Sequence, residues 1–188
     1  MLCVIAVSHK DIAQARDLLD WIYELDPSMP SHKFLLMVGA LVPTYDVTDL
    51  FNRASKCFGS GKLLRQQTDS GKGWPYEPNQ MFKLAAQWVS KTQSGPFFWL
   101  EPDCIPTRSG WLTALEAEYK AKRVPFMGTI YPYPIKHLNG CMVYPQNVGQ
   151  KNPAMLMATN KSWDIMAPGL TIQHGFNTPL IQRQLADP

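Results

Sequence analysis

A run of four large apolar residues that leads directly into two acids is the feature that most constrains this chain. The run comprises residues 97–100, Phe-Phe-Trp-Leu, and Glu101 and Asp103 follow it with Pro102 between them. Consecutive large apolar residues predict a strand buried on both faces, and the proline, which has no N–H, ends its hydrogen bonding. The two acids are therefore expected at the carboxyl end of a central strand, where open α/β sheets bind their ligands.

This pair of acids has two interpretations. Side chains two residues apart at a strand end can point the same way, so Glu101 and Asp103 can face one ion. Carboxylates suit a hard divalent cation, Mg²⁺ or Mn²⁺, which in turn binds a diphosphate. The local pattern fits equally well with two solvated acids at a polar strand end.

Composition predicts one globular domain over residues 1–188. Hydrophobic residues make up 45% and charged residues 18% of the chain, and the formal net charge is +3, which permits a polyanionic partner without requiring one. The apolar runs are too short for a membrane span, and residues 1–7 predict a strand, not a signal peptide. The four cysteines lie far apart without a C-x₂-C pair, which favours reduced core cysteines of a cytoplasmic protein over a zinc site.

Before the acids, apolar periodicity alternates between strand and helix. Strands are expected at residues 2–7, 34–38 and 62–66, and helices at residues 12–25, 46–56 and 79–92. This alternation predicts a parallel sheet with crossover helices. A glycine-rich loop, residues 69–79, carries Lys72 and Trp74, which suit contact with a phosphate and a ring, although an ordinary turn explains the same composition.

After the acids the pattern is less regular. A helix containing Trp111 and Tyr119 is expected to be capped by Thr107 or Ser109, and strands are expected at residues 125–130 and 137–144. Further predictions are a strand at 153–158, a short helix after Ser162, a loop or short strand at 169–177 and a final helix at 179–185, assigned from capping residues and local periodicity.

Taken in order, four segments resemble those of nucleotide-sugar glycosyltransferases of the GT-A fold. Residues 4–8, Val-Ile-Ala-Val-Ser, resemble the first strand and the loop that meets the nucleotide, and residues 99–103 resemble the D-x-D segment with glutamate first. Residues 137–141, His-Leu-Asn-Gly-Cys, resemble the strand that brings a glycine beside the donor sugar. His174 resembles the late histidine that often completes the metal site. The resemblance covers nearly the whole chain.

The resemblance implies a GT-A (Rossmann-like) α/β domain with a mainly parallel, twisted sheet flanked by helices. Residues 1–104 would form the nucleotide-binding half and residues 105–188 the donor-sugar and acceptor half. It further implies a metal-dependent hexosyltransferase that uses a nucleotide-diphosphate sugar, a UDP-hexose, with Mn²⁺ or Mg²⁺ held by Asp103, Glu101 and His174. The residues implied in donor binding are Ser8, Lys72, Trp74, Glu101, Asn139 and Gly140.

The chain departs from the family pattern in two places. Glu101 replaces the first aspartate and has a longer side chain, so Asp103 is the more direct metal ligand. Inverting members carry an acidic general base at the start of a late helix, whereas residues 174–178, His-Gly-Phe-Asn-Thr, contain no acid. Catalysis is therefore assigned to Asp103 with either His174 or the more distant Asp164 as base, unless the enzyme is retaining and needs no base there.

The acceptor follows from a narrower resemblance, to small phage-type glycosyltransferases that modify hydroxymethylated pyrimidines in DNA. In that interpretation Tyr131, Tyr133 and His137 would contact a base flipped out of the duplex in the host cytoplasm. Aromatic residues that only pack the rim are the alternative. Other functions left open are transfer to a carbohydrate or protein acceptor, a nucleotidyltransferase, and a non-catalytic module that binds a nucleotide sugar.

Overall fold

The computed structural model describes residues 1–132, 135–166 and 168–183. Up to the two acids the elements are β1 (Leu2–Val7), α1 (Ile12–Leu25), β2 (Met29–Val38), α2 (Thr44–Cys57), β3 (Phe58–Arg65), α3 (Tyr76–Thr92) and β4 (Phe97–Leu100). After them come β5 (Cys104–Pro106), α4 (Trp111–Lys122), β6 (Phe126–Tyr131), β7 (His137–Tyr144), α5 (Val148–Lys151), α6 (Pro153–Leu156), a 3₁₀ helix (Trp163–Ile165), α7 (Pro168–Gln173), β8 (Gly175–Asn177) and β9 (Ile181–Arg183).

One mixed sheet of seven strands forms the centre of the molecule, in the order β3-β2-β1-β4-β7-β6-β8. The pairings β1–β2, β1–β4, β2–β3 and β6–β8 are parallel, whereas β7 is antiparallel to both β4 and β6. The predicted α/β fold, with a mainly parallel sheet flanked by helices, is confirmed. Because β7 runs against β4, its amino end lies at the same edge of the sheet as the carboxyl ends of β1 and β4.

Both faces of the sheet are covered, as the unbroken apolar run of β4 predicts. Phe98 and Leu100 belong to the hydrophobic cluster that includes residues of α1, α2 and α4. Phe97 and Trp99 belong to the cluster on the opposite face, which includes α3. Burial of each such side chain stabilises the fold by about 1.5–3 kcal/mol. The strand that leads into the acids is therefore anchored from both sides.

A small second ladder joins the chain after the acids to its last described strand. β5 pairs antiparallel with β9, with Cys104 opposite Arg183 and Pro106 opposite Ile181. The prediction of a helix over residues 179–185 is wrong for residues 181–183, which form β9; residues 184–188 lie outside the described part. Leu180 and Ile181 are buried, and this tertiary burial, not helical periodicity, explains their apolar character.

Several local predictions are corrected. Residues 153–156 form helix α6 and not a strand, with Pro153 in the first turn, where its missing N–H costs no hydrogen bond. Residues 168–173 form α7 where a loop or strand was expected.

The predicted cap of α4 is also corrected. Gly110 is the N-cap residue of this helix, and the Asp26 carboxylate accepts hydrogen bonds from the Gly110 N–H at 2.8 Å and the Ser109 hydroxyl at 2.9 Å. Asp26 thus satisfies this helix start in place of Thr107 or Ser109.

Across the described residues, no helix is both long and apolar enough to cross a membrane.

Candidate functional site

A cleft of about 750 Å³ opens at the sheet edge formed by the carboxyl ends of β1 and β4 and the amino end of β7. Its lining includes seven residues predicted from the sequence: Ser8, Trp74, Glu101, Asp103, Tyr131, His137 and Asp164. They come from segments as distant as the loop after β1 and the 3₁₀ helix. The crossover topology brings them together because it places these segments at one edge of the sheet.

Glu101 continues β4 into the floor of this cleft. Its Oε1 accepts a hydrogen bond from the indole N–H of Trp99 at 3.2 Å, and its Oε2 lies 3.9 Å from the Cys141 thiol. Burial, together with the negative charges of Asp103 and Asp164, raises the pKa of Glu101 to about 8. Burial and the neighbouring carboxylates therefore favour the protonated form of Glu101.

Asp103 lies beside a cation that the sequence analysis did not identify. A guanidinium nitrogen of Arg183 lies 2.7 Å from Asp103 Oδ2. The other oxygen, Oδ1, is buried and has no hydrogen-bond partner within the described part of the chain. Asp103 thus offers one paired oxygen and one free oxygen.

Arg183 is held in place by its strand and by an aromatic ring. The antiparallel register of β5 and β9 places it opposite Cys104, the neighbour of Asp103. Its guanidinium carbon lies 5.5 Å from the ring centre of Tyr131, within the range of a cation–π contact. Burial alone would lower the pKa of Arg183, but Asp103 and Glu101 outweigh it and raise this pKa. Arg183 is therefore a fixed positive charge in the cleft.

His137 and Asp164 form a second polar pair in the cleft. His137 is only 3% exposed, and its Nδ1 lies 2.6 Å from the Ile135 carbonyl oxygen. Because a carbonyl oxygen only accepts hydrogen bonds, Nδ1 must carry a proton and act as the donor. Its Nε2 lies 3.4 Å from Asp164 Oδ2. Burial alone would lower the pKa of His137, but the contacts with Asp164 and Ile135 raise it. Asp164 Oδ1 is buried without a partner among residues that the structure describes.

Gly140 lies in β7 against the 3₁₀ helix that carries Asp164. A Cβ at this position would lie 2.9 Å from Trp163 Cζ2 and 3.4 Å from Asp164 Oδ2. Only glycine therefore lets the 3₁₀ helix approach β7 this closely. Gly140 thus leaves the space against β7 that Trp163 and Asp164 occupy.

The three predicted metal ligands Asp103, Glu101 and His174 are not brought together. His174 directly precedes Gly175, which pairs with Phe126 at the amino end of β6. Since β4 and β6 run in the same direction, the amino end of β6 lies at the opposite end of the strands from the carboxyl end of β4. His174 is therefore far from Glu101, and it is exposed. Its assignment as a metal ligand or catalytic base is therefore corrected for this structure.

The remaining predicted residues also lie outside the cleft lining. Lys72 is exposed, with its Nζ 4.7 Å from the ring centre of Tyr76. Asn139 is buried behind the cleft, where its Oδ1 accepts a hydrogen bond from the Cys141 N–H at 2.9 Å. The prediction for Tyr133 falls outside the described residues.

Two oxygens at this edge suit a hard cation. Asp103 Oδ1 is a buried carboxylate oxygen with no hydrogen-bond partner in the described chain, and burying such an oxygen is costly unless a cation or a donor satisfies it. Glu101 lies at the same edge and can add a second carboxylate. The residues present therefore fit the Mg²⁺ or Mn²⁺ that the acid pair predicted.

Arg183 is the main functional residue that the sequence analysis missed. The local sequence contains no motif that marks Arg183 as a cleft residue, and residues 179–185 were predicted to form a helix.

Trp163 was predicted only as part of a short helix. It stacks on Phe82 with a centroid distance of 4.9 Å, and its indole N–H donates to the Tyr144 hydroxyl at 2.8 Å.

Comparison with known proteins finds likeness in structure only. No protein-family model matches the sequence, and no curated protein sequence matches it. Among solved structures, the glycosyltransferase GlyE of Streptococcus pneumoniae TIGR4 is similar with a TM-score of 0.65 and 10% identity, covering 99% of this chain and 54% of that chain. The mannosyltransferase PcManGT of Pyrobaculum calidifontis, in complex with GDP-Man and Mn²⁺, has a TM-score of 0.65 and 11% identity, covering 95% of this chain and 54% of its own.

TarS 1-349 of S. aureus, in complex with UDP, has a TM-score of 0.56 and 12% identity, covering 81% of this chain and 49% of its own. The chain thus spans about half the length of these three proteins. At such identities the likeness shows the fold, and the fold is that of GT-A glycosyltransferases.

Proposed function

We propose that this chain is a metal-dependent glycosyltransferase that moves a hexose from a UDP-hexose to a hydroxyl acceptor. The observation that carries the proposal is the meeting of Asp103, Arg183 and Asp164 in one cleft at the carboxyl edge of the sheet. Open α/β sheets bind nucleotides at this edge, and a sugar-nucleotide donor needs countercharge for its diphosphate and an acid or base beside its sugar.

The donor would extend from the loop after β1 to Arg183. Ser8 and Trp74 line the cleft, and the Trp74 side chain is 74% exposed, which leaves its ring free to stack on a uracil. Arg183 is the cationic residue that lines the cleft in the described chain, so it takes the role in diphosphate binding that the sequence had suggested for Lys72.

Asp103, together with Glu101, would hold the divalent cation. When bound, Mn²⁺ or Mg²⁺ supplies positive charge that stabilises the nucleoside diphosphate as it leaves. Because burial raises the pKa of Glu101, this carboxyl would release its proton as it binds the cation. Arg183 would stabilise the same negative charge from the side of β9.

Asp164 would accept the proton of the acceptor hydroxyl. Its unpartnered Oδ1 supplies the lone pair, and its Oδ2 is held by His137. In its protonated form His137 donates its Nδ1 proton to the Ile135 carbonyl and its Nε2 proton to Asp164 Oδ2, which orients the carboxylate. General-base assistance of this kind contributes about 10²- to 10⁴-fold to a rate.

For the acceptor, we keep 5-hydroxymethylpyrimidine in DNA as the proposal. Its support moves from His137, which is buried, to Tyr131 in the cleft lining, whose ring can stack on an unpaired base. Carbohydrate or protein hydroxyls are the alternatives. The four cysteines are free and buried, which supports the proposal that the protein acts in a reducing cytoplasm.

Two measurements test this function. Isothermal titration of UDP with Mn²⁺ should give metal-dependent binding in the unmodified protein and in Asp17→Ala, an exposed acid on α1, and no such binding in Asp103→Ala. A screen of UDP-hexoses against hydroxymethylcytosine, hydroxymethyluracil and unmodified DNA, analysed by nucleoside mass spectrometry, identifies the acceptor. A hexose mass on a hydroxymethylated base alone supports DNA; UDP release without any adduct points to another acceptor, and the absence of both binding and hydrolysis overturns the function.

A further inference from the structure

Two thiols and a carboxylate converge directly behind the floor of the cleft. One ligand atom each from Asp103, Cys104 and Cys141 lies within 4.8 Å of the others. Cys104 begins β5 and Cys141 lies in the middle of β7, so the cluster is formed by two strands that are distant in sequence. Spacing along the chain therefore gave no indication of a metal site here.

The surroundings of this cluster leave polar groups unsatisfied. Asp103 Oδ1 and Asn139 Nδ2 are both buried, and the described residues offer neither of them a hydrogen-bond partner. Asn139 is 1% exposed, and its Oδ1 lies 3.8 Å from the Cys104 thiol and 2.9 Å from the Cys141 N–H. A cation would satisfy the free carboxylate oxygen.

We propose that Asp103, Cys104 and Cys141 form a binding site for a thiol-seeking divalent cation of the zinc class. Zinc bonds of about 2.3 Å to sulfur and about 2.0–2.2 Å to oxygen place tetrahedral neighbours about 3.5–3.8 Å apart. The three ligand atoms need to contract by only about 1 Å to reach that geometry. Each thiol releases its proton to solvent as its sulfur bonds to the metal, and no oxidation or reduction takes place.

A fourth ligand and an entry path lie on the cleft side. Glu101 Oε2 is 3.9 Å from the Cys141 sulfur, and the Glu101 N–H donates to the same sulfur at 3.3 Å. Glu101 and Asp103 both line the cleft, so an ion can reach the thiols past these carboxylates. Water can take the fourth position if Glu101 does not.

This site is distinct in chemistry from the hard-cation site of the proposed function, on which it does not depend. Mg²⁺ and Mn²⁺ prefer oxygen ligands, whereas two thiolates select softer cations. The two sites share Asp103. Zinc at the thiol site would therefore compete with Mn²⁺ at the cleft edge.

Cobalt titration under argon with a non-thiol reductant tests the site. Co²⁺ bound by thiolates gives a charge-transfer absorption in the near ultraviolet, and Zn²⁺ should displace it at a one-to-one ratio. Cys104→Ser and Cys141→Ser should lose this absorption and weaken Zn²⁺ binding by more than the roughly 10- to 100-fold that loss of an outer-shell partner costs. Cys3→Ser and Cys57→Ser, which change buried cysteines outside the cluster, should retain both.

A second measurement needs no variant and so does not depend on folding of the mutants. Zinc-edge X-ray absorption of the unmodified protein with one equivalent of Zn²⁺ should show two sulfur neighbours. A shell of oxygen and nitrogen only, or cobalt absorption unchanged in Cys104→Ser and Cys141→Ser, would overturn the proposal. These outcomes are independent of UDP binding, so failure of this site is distinguishable from failure of the proposed function.

Discussion

Arg183 and Asp103 form an ion pair of 2.7 Å that joins the last described strand to the acid after β4. The pair depends on β9 lying against β5, which sets Arg183 opposite Cys104. The guanidinium of Arg183 therefore balances the negative charge of Asp103. A diphosphate that enters the cleft would share this cation.

The first prediction compares two cations. Arg183→Gln should weaken UDP binding by about 10- to 100-fold, because a charge-assisted contact to phosphate contributes about 1.5–3 kcal/mol. Lys72→Gln should leave UDP affinity unchanged, since Lys72 is exposed and outside the cleft lining. Titration calorimetry of both variants measures the difference. Equal losses in the two variants, or a loss confined to Lys72→Gln, would contradict the assignment of Arg183.

The second prediction concerns the proposed base. Asp164→Asn should slow hydrolysis of the sugar nucleotide by about 10²- to 10⁴-fold while UDP affinity changes little, because the general base acts in the transition state. His137→Gln should produce a smaller loss, since His137 only orients Asp164. Steady-state release of UDP gives kcat and KM separately. A rise in KM with unchanged kcat would assign Asp164 to binding instead.

The third prediction tests the close approach at Gly140. Gly140→Ala would place a Cβ 2.9 Å from Trp163 Cζ2, and overpacking of this kind costs about 1–3 kcal/mol. The melting temperature should fall by about 2–4 °C for each kcal/mol, and hydrolysis should slow because Asp164 moves. Gly95→Ala is the matched control, because its Cβ would meet no atom within 4 Å among the described residues. Equal melting temperatures for the two variants would refute the contact.

The fourth prediction is a pH dependence of stability. Burial raises the pKa of Tyr119 from 10.0 to about 12, and its hydroxyl donates to the Pro125 carbonyl at 3.2 Å. A folded-state pKa above the unfolded value favours the protonated form, so this stabilisation is complete below pH 10 and is lost as the pH rises towards 12. Urea unfolding should show a steeper alkaline loss in the unmodified protein than in Tyr119→Phe. Parallel pH profiles would show that Tyr119 does not contribute.

Much of the fold follows from local pattern. The apolar runs of β1 and β4 and the periodic apolar faces of α1 and α3 predicted these elements, because burial against a sheet imposes its period directly on the sequence. β2 begins at Met29, before the predicted residue 34; exposed residues interrupt the apolar pattern of its first half. Short elements such as α6 and β9 were assigned wrongly because three or four residues hold too little periodicity to separate helix from strand.

Some residues of the candidate site could likewise be predicted from local sequence, whereas others depend on the tertiary structure. The sequence by itself determined that Glu101 and Asp103 end a buried strand, because an apolar run followed by acids and a proline is a local signal. Only the tertiary structure decided that Arg183 joins Asp103 and that His174 lies at the far edge of the sheet. Those positions depend on the pairing of β9 with β5 and of β8 with β6, between segments far apart in the chain. The free energy of such pairings comes from burial and hydrogen bonds across the sheet, which leave no mark in the spacing of neighbouring residues.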